Sequence, residues 1–297
     1  CRKRPWLGEI KSLRGSPNPM KNGLIDLHLH STCSDGTSLP EEVVARAEKV
    51  GFSVISLTDH DSTDGVVEAQ EAGSRLGVEV VPGVELSAQA DGKDIHILGY
   101  FVDVDHPKLI DCLRLYRDAR IQRAERMICK LNKMGIQIRI EQVLAKAGGG
   151  AVGRPHVADV LLEEGHVFSA NEAFHKYLGY SRPAYESKYS LSPADALEII
   201  HAADGLGCLA LPGLYGRDDL IPGLVEQGID GIEVRHTKHN PADVVHYTEV
   251  AAKYGLLSSG GSDCHGDGRG EAVMGVVEVP RAYVEAIREV HLKRLSQ

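Results

Sequence analysis

The chain has 297 residues, of which 33 are Lys or Arg and 42 are Asp or Glu, giving a formal charge of −9 at pH 7. Hydrophobic residues make up 42% and charged residues 25%, ordinary globular values that exclude disordered, collagen-like and disulfide-scaffold classes. No apolar run reaches the ~18 residues of a membrane-spanning helix, and at about 150 residues per domain the length allows two domains or a single α/β barrel.

Residues 1–19 are basic, broken by Pro5, Pro17 and Pro19, and expected to lie outside the fold, with Met20 just ahead of the first convincing strand. Leu24 to Leu29 reads as that strand. A helix follows from Pro40 to Ala47, opened by proline and by Glu41 and Glu42 in its first turn. Val54 to Thr58 predicts a second strand, and Gly65 to Leu76 a second helix. Further strand-like runs are Val78 to Leu86, His96 to Tyr100, Cys208 to Leu211, Gly231 to Val234 and Leu257 to Gly261. Strand and helix in alternation imply a parallel sheet, and this many runs favour a closed or distorted (β/α) barrel over residues 20–102 and 190–297.

Between 103 and 189 the alternation stops and an all-helical insertion is expected. Leu109, Leu113, Tyr116, Ala124, Met127, Leu131 and Met134 keep helical spacing through one long helix, with shorter helical patterns at Glu141 to Ala147, His156 to Glu164 and Asn171 to Leu178. Cys112 to Lys146 carries nine basic residues against three acidic ones. Arg at every third position drifts around a helix, so a solvated face competes with a cap that attracts anions. Gly148-Gly149-Gly150 lacks the ending of a phosphate-binding P-loop and reads as a hinge.

The acidic balance argues against a long footprint on duplex nucleic acid but leaves a small phosphorylated substrate open. Cys1, Cys33, Cys112, Cys129, Cys208 and Cys264 form no CxxC pair, so reduced thiols and a cytoplasmic location are expected. Aromatic residues are 5% of the chain and suggest no base-stacking platform. No obligate protein partner is predicted.

His28 and His30, two apart on one strand, point to the same side, a common start to a metal site. Asp35 follows in a turn. The second strand ends in Thr58-Asp59-His60-Asp61, the third in Gly83-Val84-Glu85, the fourth begins at His96, and the last ends in Gly261-Ser262-Asp263-Cys264-His265. Strand C-termini form the active face of α/β barrels, so carboxylates and imidazoles at four of them point to metal chemistry. Metal ions would also reconcile that negative pocket with a phosphate, and would make hydroxide available near neutral pH. His236 and His239, after the strand at Gly231, are candidates for supporting or substrate-binding roles, against a solvated loop.

His28-Leu29-His30, Thr58-Asp59-His60-Asp61, Glu85 with His96, and Ser262-Asp263-Cys264-His265 together resemble the motifs of the polymerase and histidinol phosphatase (PHP) domain, in order, from Leu24 to His265. Gly153-Arg154-Pro155-His156 resembles a signature of its phosphoesterase subfamily with a helical insertion, which includes nucleoside 3′,5′-bisphosphate phosphatases and a 5′-3′ exoribonuclease. The resemblance implies a distorted (β/α)7 barrel holding two or three divalent ions, Mn, Fe or Zn. His28, His30, Glu85 and Asp263 would hold the first. Glu85 would bridge to a second, also bound by His96, and Asp35, His60 and His265 would hold the third. Asp263 and His265 then stand at the catalytic centre. Arg154 and His156 are candidates for gripping a second phosphate or protonating the leaving oxygen, and His239 for binding substrate.

One position departs from the family pattern. Gly207-Cys208-Leu209-Ala210-Leu211-Pro212-Gly213 resembles a strand that normally ends Ala-His-Pro-Gly, and Leu211 stands where the histidine would be. A leucine donates nothing to a metal. The reading is therefore a metal-dependent phosphoesterase acting on a nucleoside 3′,5′-bisphosphate or a short oligonucleotide. A histidinol-phosphate phosphatase and a non-catalytic metal or nucleotide binder are the alternatives.

Overall fold

A computed structural model describes residues 23–266 and 274–297. The expectation for residues 1–19, and Met20 with it, falls outside them. Seven strands form one sheet in sequence order: β1 (Leu24–Leu29), β2 (Phe52–Leu57), β3 (Glu79–Ala90), β4 (Lys93–Tyr100), β5 (Leu206–Leu209), β6 (Gly231–His236) and β7 (Leu257–Gly261). The helices are α1 (Pro40–Val50), α2 (Val66–Leu76), α3 (Pro107–Lys133), α4 (Ile140–Ala147), α5 (Arg154–Glu163), α6 (Ala170–Ala173), α7 (Pro193–Ala202), α8 (Pro212–Tyr215), α9 (Ile221–Glu226), α10 (Pro241–Tyr254) and α11 (Arg281–Leu295).

Local chemistry accounts for many of these boundaries. Asn240 accepts from the amides of Ala242 and Asp243 while the Asp243 carboxylate accepts from the Asn240 amide, closing the first turn of α10. α1 stops at Gly51, whose φ of 96° lies in the left-handed region. The expected parallel sheet is interrupted: β3 pairs antiparallel with β4, and β4 with β5. The cause is a hairpin at Asp91-Gly92, both at positive φ, a two-residue turn whose twist suits antiparallel strands. It continues β3 to Ala90, beyond the apolar run that marks its start.

The sheet is nearly closed into a barrel. The end of β7 reaches β1 through the Asp263 amide on the His28 carbonyl (2.9 Å) and the His30 amide on the Cys264 carbonyl (3.1 Å). Gly261 permits this approach, since a Cβ there would lie 2.4 Å from both the Cβ and the backbone nitrogen of His28.

Apolar side chains gather in distinct clusters. One lies wholly in the helical segment, from Ala124 on α3 through Val157 and Leu161 on α5 to Ala184. Leu109, Cys112, Leu113 and Tyr116, in the first half of α3, pack instead with β3, β4 and α7. The change from barrel core to cap core thus falls inside α3, beyond residue 103.

Candidate metal centre

The barrel mouth is built around Glu85 on β3, whose side chain is buried among four imidazoles. Its Oε2 lies 3.2 Å from His28 Nε2, 3.3 Å from His30 Nε2 and 2.9 Å from His60 Nδ1, and its Oε1 lies 2.7 Å from His96 Nδ1. Asp263, after β7, brings Oδ1 to 3.0 Å from His30 Nε2 and 3.4 Å from His28 Nε2. Asp35 lies 3.3 Å from His265 Nε2 and 3.9 Å from His60 Nε2. The structure therefore brings together His28, His30, Asp35, His60, Glu85, His96, Asp263 and His265.

Backbone strain helps to aim these groups. Asp61 and Asp263 sit at φ of 51° and 57°, left-handed conformations that non-glycine residues adopt at a cost of ~1–3 kcal/mol. Asp59 of the same motif accepts from the Ser31 amide and hydroxyl and from the Ser34 hydroxyl, which holds the loop carrying Asp35. Asp26 accepts from the amides of His28 and Ser262, and burial pushes its carboxyl up to about 6.

The electrostatics follow from burial opposed by close charges. Burial alone would raise Glu85, yet His60, His96 and His28 hold it well below the usual carboxylate range. Asp263 behaves likewise beside His28, and Asp35 beside His265 and His60. His60 moves the opposite way, with burial outweighed by Glu85 and Asp35.

The donor set fits divalent cations. His30 Nδ1 and Nε2, His60 Nδ1, Asp35 Oδ1 and His236 Nε2 are buried without a well-aligned hydrogen bond, most of them crowded against Glu85, Asp263 or His265 instead. Such atoms are costly unless something else satisfies them, and a cation does so for lone pairs that converge. One group of ligand atoms within 4.8 Å of one another comes from His30, Asp35, His60 and His265, and another from His28, His30 and Glu85. A mixed nitrogen and oxygen set without thiolate suits Mn, Fe or Zn.

Several residues at the mouth escaped sequence reasoning. Glu233, on β6, is fully buried and accepts from His28 Nδ1 and from the Leu211 amide, both at 2.9 Å. Its signal was a carboxylate inside an otherwise apolar strand. His236, by contrast already a candidate in the sequence, is buried, with Nε2 3.5 Å from Asp263 Oδ2, and does not sit in a solvated loop. Lys188, in an unpatterned stretch, puts Nζ 3.0 Å from His96 Nε2. Tyr215 approaches the same histidine, its hydroxyl accepting from the His96 amide.

Other candidates are tied into the fold. His156 is buried at the third position of α5, with Nδ1 accepting from the Gly153 amide. His239 uses both ring nitrogens on backbone, donating from Nδ1 to the Val234 carbonyl and accepting at Nε2 from the Gly213 amide. Arg154 donates to the Leu178 carbonyl, and its guanidinium faces the rings of Phe174, Tyr180 and Tyr185 at 5.2–5.8 Å. An aromatic cluster thus exists where composition suggested none. Tyr180 donates to Asp94 (2.6 Å), and Lys188 lies 3.7 Å from Asp94, linking that cluster to His96. Of the basic residues on α3, Arg120 and Arg123 are largely buried, whereas Arg114, Arg117 and Arg126 are exposed ion-pair partners.

Imidazoles and carboxylates converging at the strand ends of an α/β barrel define a metal-dependent hydrolase. The PHP domain model matches residues 26–233, and the chain belongs to that family. It is 35% identical over 260 residues to the 3′,5′-nucleoside bisphosphate phosphatase of Chromobacterium violaceum, covering 86% of this chain and 91% of that one. It is 33% identical over 249 residues to the 5′-3′ exoribonuclease Rnm of Escherichia coli, covering 82% and 85%. A solved amidohydrolase from Chromobacterium violaceum, with bound sulfate and no metal, superimposes with a TM-score of 0.81, with 32% identity over 90% of this chain and 96% of that one. The protein is a hydrolase acting on phosphoesters. Among the described residues no helix is long and apolar enough to cross a membrane.

Proposed function

We propose that the protein removes phosphate from a nucleoside 3′,5′-bisphosphate, or cleaves the terminal phosphodiester of a short oligonucleotide. The observation that carries this reading is the adjacency of the Glu85-centred cluster to a cationic and aromatic wall, connected through His96, Lys188, Asp94, Tyr180 and Arg154. A monoester with one phosphate has no use for a second cationic group beside aromatic faces. A nucleotide with two phosphates and a base uses all three. The relatives named for nucleoside bisphosphate and RNA substrates, and the sulfate bound by the Chromobacterium violaceum structure, support it.

His28, His30, Glu85 and Asp263 are the residues proposed to hold one ion, and Asp35, His60 and His265 another. When bound, divalent ions offset charge on the phosphoryl oxygens and bring the pKa of coordinated water towards about 7. The protein groups do the rest. Asp263 and His265 stand beside the reacting phosphoryl as ion-holding residues. Arg154 takes the phosphate that is not cleaved, because its planar fork matches phosphate oxygens, and the rings around it offer aromatic surface to a base. His156 fixes the first turn of α5 and hence the origin of Arg154.

The test is manganese-dependent phosphate release from adenosine 3′,5′-bisphosphate, beside an Asp263→Ala control and histidinol phosphate as competing substrate. Release that disappears in the control and is faster, in kcat/KM, for the bisphosphate is expected. Tight binding of the bisphosphate without release under Mn, Fe and Zn would refute the reading.

A further inference from the structure

The family pattern places a second ion between Glu85 and His96, completed by a histidine where this chain has Leu211. The strand end turns sharply at this position. Leu211 is held at φ 47° and ψ 42°, and its amide donates to Glu233. The Leu211 side chain packs in an apolar cluster with Tyr100, Phe101 and Leu206.

His96 is also committed elsewhere. Its Nδ1 meets Glu85 Oε1 at 2.7 Å and its Nε2 accepts from Lys188 Nζ at 3.0 Å. The Lys188 ammonium is mostly covered and reaches Ser87 Oγ (3.4 Å) and Asp94 Oδ2 (3.7 Å). A neutral imidazole has one protonated nitrogen and one lone pair. If Nε2 accepts from the ammonium, the proton is on Nδ1, donated to Glu85, and no lone pair faces an ion there. An ion at Nδ1 would move that proton to Nε2, donor against donor with Lys188. Unlike His30 and His60, His96 has no unsatisfied nitrogen. His60 lies close enough to complete a Glu85 and His96 set, but it also belongs to the group with His30, Asp35 and His265 and would be withdrawn from it.

We propose that the second position is not a metal site in this chain, and that the Lys188 ammonium, held behind His96 at Nε2, supplies a fixed cation to this side of the mouth, so that the enzyme holds two ions rather than three. Lys188 presents a compact charge with three donors, which suits a phosphoryl oxygen as well as His96. The inference rests on the metal-dependent reading above, and the experiment separates the two.

Full-length protein is equilibrated with excess manganese chloride, freed of unbound ion by gel filtration, and its manganese counted by elemental mass spectrometry. Two ions per chain are expected for the wild type and three for a Leu211→His, Lys188→Met double variant. Asp35→Asn is expected to lower the wild-type count to one, locating the second bound ion at Asp35. A wild-type count of three or one overturns the inference, as does a double variant that folds by circular dichroism and stays at two. The wild-type count decides alone if the variant does not fold. A wild type that binds no manganese refutes the proposed function, and the inference with it.

Discussion

Glu233→Gln is expected to loosen the first ion position while leaving the barrel folded. The carboxylate is fully buried and bivalent, with Oε1 on His28 Nδ1 and Oε2 on the Leu211 amide, each at 2.9 Å. Glutamine keeps the shape but has one acceptor oxygen. Whichever donor takes it, the other faces an NH2 group. His28 then either loses the partner that keeps its proton on Nδ1 and leaves the Nε2 lone pair towards Glu85 and Asp263, or keeps only a neutral one while the Leu211 amide is left unpaired. Losing such an outer partner costs about 10–100-fold in metal affinity. At 1.4 kcal/mol per factor of ten, that is ~1.4–2.8 kcal/mol, in line with the ~1.5–3 kcal/mol of a hydrogen bond to a charged group. The assay is calorimetric titration of metal-stripped protein with manganese, with circular dichroism to confirm folding. An affinity within threefold of wild type would show that Glu233 does not orient His28.

Arg154→Ala is expected to raise KM for the bisphosphate roughly 10-fold or more, with little change for a nucleoside monophosphate, because it removes one charge-assisted phosphate contact; equal effects on both substrates, measured by steady-state kinetics, would remove it from substrate recognition. Gly261→Ala puts a methyl group onto the His28 backbone where β7 meets β1, and should destabilise the fold by ~1–3 kcal/mol in urea unfolding. An unchanged unfolding midpoint would mean the barrel closes more loosely than described. In metal-stripped protein His60 has a raised pKa, burial being outweighed by Glu85 and Asp35. A raised folded value adds stability that is complete below the unfolded value of 6.5 and is lost as pH rises through the folded one. The thermal midpoint without metal should therefore fall as pH rises above 6.5, and added manganese should abolish that fall; a midpoint that rises over this range would contradict the sign.

The residues at the mouth were legible because chemistry-bearing types stood at strand ends, where a hydrophobic pattern has no use for them. His28 and His30 share a face by strand periodicity, and His60, Glu85 and Asp263 follow apolar runs that the barrel core requires. What the sequence concealed had physical reasons. The antiparallel pair was hidden because β3 continues past its apolar portion into Gln89 and Ala90 before the Asp91-Gly92 turn. Glu233 showed only as a carboxylate within an apolar run, and its role was hidden because its partners lie 205 and 22 residues away. Lys188 has no local periodicity at all, and its place beside His96 is set by tertiary packing.

The cap and the barrel meet through one face of α3. Tyr116 and Arg120, four residues apart, lie on the same side of that helix. The Tyr116 hydroxyl donates to the Ser87 carbonyl and accepts from the Leu191 amide, while Arg120 donates Nε to Asp61 at 2.9 Å and Nη1 to the Val152 carbonyl at 3.2 Å. Asp61 adjoins His60 and accepts from the Ser87 amide, two residues beyond Glu85. One helix face therefore fixes the turn that presents His60, the strand that presents Glu85 and the loop that leads to Arg154. Because α3 also feeds both apolar clusters, a tilt of the cap cannot occur without disturbing these bonds, and the spacing between the ion-binding residues and the Arg154 cluster is held by packing rather than by loop chance. That fixed spacing is what a substrate with two phosphates at a set distance would measure.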